Sequence, residues 1–382
     1  MHIQTTVVQN RGGIIMPDQR LKKLAEVLVH YSAKVKPEDF VLVQAEDVAV
    51  EWIEAVSAEV IKTGAHVETL VKLPSVNENL LRYGNENQLL HESIIQKYAV
   101  EKADVWLTAW GSRNTRAFTG IEAGKLQLAA RGAASWRKVY SERMGNGSLR
   151  WCGTQYPTHA DAQEAEMSLS EYQDFFYQAG FLDKDDPVAE WEKIKAVQDK
   201  WINIMNKKKE LHIVSKNTDL KVNISGRKWI NCCGTVNFPD GEIFTSPVEN
   251  GINGHITFSF PGIYMGKAVE GIYLEIKEGK VIKAEADKGG ELLNSLLNTD
   301  SGAGYFGEVA VGTNYQIQRF TRNMLFDEKI GGTVHMAIGD SIPEAGGKNR
   351  STIHWDMLCD MRENGQLYAD NELIYQNGRF II

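Results

Sequence analysis

The feature that most limits the fold is a change of rhythm near residue 208. Before it, apolar residues at helical spacing alternate with short apolar runs. Residues 20–35 place Leu21, Leu24, Ala25, Val27, Leu28 and Tyr31 on one face, and Lys36-Pro37 ends that helix. Residues 40–43 then read as a buried strand, 48–62 as a helix stopped by Gly64, and 67–72 as a second strand. A helix near 88–100, a strand at 104–109, a helix around 121–130 and a strand at 149–153 continue the series. Such alternation predicts a mostly parallel sheet covered by helices. Two more helices follow: Ser168 and Glu171 form a capping box that opens one, and Pro187 starts another reaching about Lys207.

From Leu211 onward helical signals are rare. Short alternating runs such as Leu220-Lys221-Val222-Asn223-Ile224 are separated by Gly, Asn and Asp, and Gly331-Gly332 and Gly346-Gly347 suit tight turns between antiparallel strands. A chain of 382 residues also exceeds what one hydrophobic core usually organises. The expectation is an α/β protein: an N-terminal α/β domain over 1–207 and a mainly antiparallel β domain over 208–382.

A formal charge of −8 argues against an extended phosphate-binding surface, and Lys207-Lys208-Lys209 reads as a solvated helix end. No GxGxxG or GxxxxGK[ST] follows an N-terminal strand, no apolar run approaches membrane-spanning length, and the opening MHIQTTVVQNRGG lacks a signal-peptide core. Cys152, Cys232, Cys233 and Cys359 show no CxxC spacing and are read as free thiols. Together these predict a cytoplasmic protein that binds neither nucleic acid nor membrane.

The most pointed chemistry lies in Ile353-His354-Trp355-Asp356-Met357. In a strand, His354 and Asp356 project from one face, where imidazole and carboxylate can hold one metal together; alone, such a pair is more often a surface hydrogen bond. His335 sits among apolar residues in Thr333-Val334-His335-Met336-Ala337 and alone would read as structural. Glu242 and Glu308 are acids in apolar or turn-rich segments, where a carboxylate is costly unless paired or metal-bound. Glu242 could simply follow the turn Pro239-Asp240-Gly241, and Glu308 could pair with Arg319. As a set, two glutamates, two histidines and one aspartate suffice for two divalent ions with a bridging carboxylate. Other polar residues are weaker candidates. Cys232-Cys233 read as buried strand residues, His159 and His255 as exposed, and Trp110, with Ser112 and Arg113, lies just past a strand end.

Longer motifs add a resemblance. Leu149-Arg150-Trp151-Cys152-Gly153-Thr154-Gln155-Tyr156-Pro157-Thr158, then Ser168, Glu171-Tyr172, Asp186-Pro187 and Trp191, resemble the aminopeptidase T/S family of metallopeptidases. So does Asn237-Phe238-Pro239-Asp240-Gly241-Glu242-Ile243-Phe244-Thr245-Ser246-Pro247. The resemblance implies a dimeric metallo-aminopeptidase acting on short peptides or another small amide. It places Glu242, Glu308, His335, His354 and Asp356 on the ligands of two divalent cations, zinc, cobalt or manganese, in the C-terminal domain. It makes Glu242 and Glu308 the carboxylates that bridge the metals or serve as general base. The chain departs from the family at Ile342, where a tyrosine close to the metals is usual, and so lacks a hydroxyl that could steady an oxyanion there. An alternative on the same scaffold is a ring-cleaving dihydroxypyridine dioxygenase with one Fe(II). His335, His354 and Asp356 would then be its ligands, with Glu242 and Glu308 behind them.

Overall fold

The computed structural model describes residues 18–382; the polar opening stretch, read above as carrying no signal peptide, lies outside the described residues. Strands Phe40–Glu46, His66–Lys72, Val105–Trp110 and Arg150–Gln155 form a parallel sheet, joined by helices as the alternation requires. Val41, Val43, Val105 and Leu107 are fully buried in it, as expected of strands covered on both faces. The Ser168 capping box is present, with Ser168 N–H donating to Glu171 and Glu171 N–H to the Ser168 hydroxyl. Between 72 and 149 the reading was too coarse. The single helix expected near 88–100 is two, Glu86–Leu89 and Ile94–Lys102; Pro74–Tyr83 precedes them unpredicted, and a further helix, Ala134–Gly145, follows Ala123–Gly132. Val76, Leu80 and Tyr83 recur at helical spacing but stand exposed, as do Ile94, Ile95 and Tyr98, so the apolar face of these helices lies outward.

The second half is antiparallel, as predicted. One sheet has eight strands and a small one pairs Gly262–Tyr264 with Lys267–Val269; a third has five, ordered His354–Asp360, Thr333–Gly339, Phe306–Gly312, Glu242–Thr245 and Ile230–Cys232. The apolar residues between them, among them Leu211, Leu220, Val309, Val334, Met336, Trp355 and Met357, form one core.

The halves are not separate bodies. Asn237–Phe238 adds a fifth parallel strand beside Arg150–Gln155, and the next residues, Pro239-Asp240-Gly241, lead straight into the Glu242 strand. Ile317, Phe326, Ile330 and Leu358 pack into the core of the N-terminal half. Leu358 and Asp356 project from one face of their strand, so the five-stranded sheet turns its polar face toward that half. Among the described residues, no helix is long and apolar enough to cross a membrane.

Candidate metal centre

Register alone brings the five predicted residues together. Asp356 lies opposite Ala337, which lies opposite Glu308; His354 lies opposite Gly339; His335 lies opposite Ala310; Glu242 lies opposite Gly312. Directly paired residues of a sheet share a face, so all five side chains rise from one surface across four adjacent strands. On one side each donor is paired with alanine or glycine, which leaves open space between them, while Leu358 lies opposite His335 and Cys232 opposite Glu242 on the other.

Two local devices make this possible. The register shifts between Phe306 and Glu308, and the extra residue is Gly307. Two positions apart, Phe306 and Glu308 would otherwise share a face; the bulge puts Phe306 in the core and leaves Glu308 in the site. Gly241, at φ +119°, turns the chain into the Glu242 strand, and a Cβ there would lie 2.7 Å from the Asn314 side chain. Gln198, fully buried on helix Pro187–Met205, fixes the same strand by donating to the Glu242 carbonyl at 2.6 Å and the Cys232 carbonyl at 3.2 Å.

Glu242, Glu308, His335 and Asp356 are buried, and His354 is the exposed member. Nε2 of His335 lies 3.2 Å from Glu242 Oε2 and 3.6 Å from Glu308 Oε1; Nε2 of His354 lies 3.2 Å from Glu308 Oε2 and 3.7 Å from Asp356 Oδ1. The ring of His354 is held from behind by its Nδ1 against the Asp340 carbonyl at 2.9 Å, which leaves Nε2 for the centre. Donor atoms fall within 4.8 Å of one another in the sets Glu242–Glu308–His335, Glu308–His354–Asp356 and Glu328–His335–Asp356. The first two share Glu308. Glu242 Oε2, Asp356 Oδ1 and both ring nitrogens of His335 are buried without a hydrogen-bond partner. Clustered, unpartnered oxygen and nitrogen donors fit a divalent cation.

The electrostatics follow from burial against charge. Burial pushes the Glu308 carboxyl up, but the imidazoles of His335 and His354 outweigh it and hold it at about 2. Burial opposes charge on His354, yet Asp356 and Glu308 push it up to about 10. The same contest, with the Glu242 and Glu308 carboxylates close by, holds His335 well above its ordinary value.

Three members were not picked out from the sequence: Asp240, Glu328 and Lys329. Asp240 looked like a turn residue, and the run Asp327-Glu328-Lys329 has the composition of a solvated helix end; only burial reveals them. Burial raises Asp240 to about 6 and Glu328 to about 8, although Lys329 pulls both down. Arg319 is absent from the Glu308 ion pairs, which go to the two histidines. The four cysteines are free, and burial pushes their thiols up, which leaves them unreactive. His255, expected to be exposed, is half-buried beside Tyr273.

Comparisons with known proteins identify the family and the fold. The family model for thermophilic metalloproteases, M29, matches residues 17–380. Aminopeptidase 2 of Geobacillus stearothermophilus is 24% identical over 385 residues, covering 89% of this chain and 92% of that protein. The structure of AmpT from Thermus thermophilus superposes with a TM-score of 0.85 at 23% identity, over 95% of this chain and 99% of that one. A 2,5-dihydroxypyridine dioxygenase from Pseudomonas putida shares the fold more distantly, at a TM-score of 0.58 and 14% identity over 94% and 96% of the two chains. With a match that runs nearly end to end, the chain belongs to the M29 metalloprotease family and is an aminopeptidase T-like metallopeptidase.

Proposed function

We propose that this protein removes N-terminal residues from short peptides, using water activated between two divalent ions that share Glu308. The observation that carries the reading is the shared carboxylate: Glu308 faces His335 with one oxygen and His354 with the other, and belongs to both donor sets. Glu242 and His335 would complete one position, His354 and Asp356 the other. Bound there, zinc, cobalt or manganese would polarise the scissile carbonyl and lower the pKa of a water.

The chain's own residues do the rest. Glu308, held ionised, bridges the two positions. Glu328, partly exposed beside His335 and Asp356, would in its ionised form take the proton of the attacking water and return it to the leaving amine. The Asp340 carbonyl keeps the His354 ring oriented. One exposed member among buried ones suits a substrate that enters past His354.

The single-iron reading finds less support. It requires His335, His354 and Asp356 around one ion, yet among the described residues no donor set within 4.8 Å joins the two histidines. Four free thiols support a cytoplasmic setting. The exposed apolar side chains at 76–98 support a homodimer. Elemental analysis of protein purified without added metal, paired with amino-acid release from a dipeptide panel, tests the proposal. About two divalent ions per chain with dipeptide turnover is the expected result; one iron, with oxygen uptake on a hydroxylated pyridine and no peptide turnover, would overturn it.

A further inference from the structure

Lys329 has no part in the chemistry above, yet it lies inside the centre. Its side chain is 0% exposed. Its ammonium lies 2.8 Å from Glu242 Oε1 and 3.8 Å from Asp240 Oδ1, and pairs with Glu328. A buried ammonium is costly without such partners, and these carboxylates outweigh the burial that would otherwise neutralise it. Each of its three partners belongs to a donor set: Asp240 and Glu242 with Cys232, Glu242 with Glu308 and His335, Glu328 with His335 and Asp356. The set Glu308–His354–Asp356 contains none of them.

We propose that Lys329 is a built-in cation that makes the two ion positions unequal. The position at Glu308–His354–Asp356 fills first and tightly; the one at Glu242–Glu308–His335 fills second and weakly. One oxygen of Glu242 already serves the ammonium, so this carboxylate offers an incoming ion only Oε2, the oxygen 3.2 Å from His335. Part of its charge is already compensated, and a divalent ion would sit one carboxylate away from a positive charge in a medium of low dielectric. The same ammonium closes the corner formed by Cys232, Asp240 and Glu242. Within this centre the lysine does part of a metal's electrostatic work without being removable by a chelator.

This inference rests on the two-ion reading, and the experiment separates them. Metal-stripped full-length protein is titrated with Mn2+ alone by calorimetry, with elemental analysis after desalting, for the wild type, Lys329→Met and Lys329→Gln. The glutamine variant retains a hydrogen-bond donor for Glu242 should the methionine variant fold poorly. The wild type is expected to bind in two steps separated by about tenfold or more, and both variants to tighten the second step by about tenfold while leaving the first nearly unchanged. Equal steps in the wild type, or a second step unchanged or weakened in the variants, would refute the role of Lys329 and leave the two-ion reading standing. One ion in the wild type but two in the variants supports the proposal in its strongest form. One ion or none in all three proteins removes the second position, and both readings fall.

Discussion

Loading the centre with metal must displace protons, and the histidines are the main source of them. In the metal-free protein the carboxylates push His354 up to about 10 and hold His335 well above its ordinary value. Both rings are therefore imidazolium at neutral pH, and a metal ligand must be neutral imidazole. Each ring that becomes a ligand releases one proton, so apparent affinity rises about tenfold per pH unit per ring while pH stays below the imidazole value. Between pH 6.5 and 8.5, displacement from His354 alone predicts a gain of about 100-fold, and protons lost from His335 or Glu328 steepen it further. Glu308, at about 2, is ionised throughout and adds nothing to the slope. Stability of the metal-free protein runs the other way. A raised imidazole stabilises the fold fully below its unfolded value, near 6.5, and that contribution fades as pH rises through about 10. Calorimetric titration with one divalent ion, in buffers of contrasting ionisation enthalpy, counts the protons directly. Affinity independent of pH over this range, with no proton released, would show that the rings are neutral before metal arrives and would refute the reasoning.

Four further outcomes test the sheet that holds the centre. Ala337→Leu places a branched side chain between Glu308 and Asp356 on the site face, and is expected to cost about 1–3 kcal/mol and much of the bound metal, read by thermal melting and elemental analysis. Gly339→Ala strains a residue at φ +98° whose Cβ would lie 2.1 Å from the Ile353 carbonyl, and is expected to lower stability by about 1–3 kcal/mol in a denaturant titration. Gln198→Leu leaves the Glu242 carbonyl without its buried donor, with an expected loss of about 1–3 kcal/mol and weaker metal retention on dialysis. Ile342→Tyr introduces a hydroxyl at the position that the resemblance matches to a tyrosine; the backbone there is tied to Ser246, just past the Glu242 strand. Dipeptide turnover is expected to rise with metal content unchanged.

The parts of the fold visible in the sequence are those where one physical rule dominates. Buried strands such as Val105–Trp110, and capped helices such as the one opened by Ser168, announce themselves through apolar runs and side-chain caps. Helix Pro74–Tyr83 is short, and its Val76, Leu80 and Tyr83, though at helical spacing, face outward rather than into a core. The crossing of Asn237–Phe238 into the parallel sheet leaves no local trace, since a two-residue strand carries no period. Within the centre, His354 and Asp356 could be paired from strand spacing alone. Glu242, Glu308 and His335 could be grouped by chemistry and by resemblance, but what brings them within reach is register across four strands and the bulge at Gly307. Both are tertiary facts. Lys329 was invisible because a lysine next to a glutamate is nearly always solvated.

Charge explains why that lysine matters. Asp240, Glu242, Glu308, Glu328 and Asp356 bring five negative charges, and Lys329 returns one positive. The remaining four are what two divalent ions neutralise when both imidazoles are neutral. Without metal, the two imidazolium rings supply two positive charges, and Glu328, raised to about 8, holds a proton at neutral pH. Asp240, near 6, holds one part of the time, which brings the metal-free centre within about one charge of neutrality. Protons and metal ions therefore fill the same electrostatic role in turn, and the fold need not rearrange to exchange them. Replacing Lys329 by a neutral residue leaves the loaded centre one charge more negative and the empty centre further from balance. That excess is what should draw the second ion in.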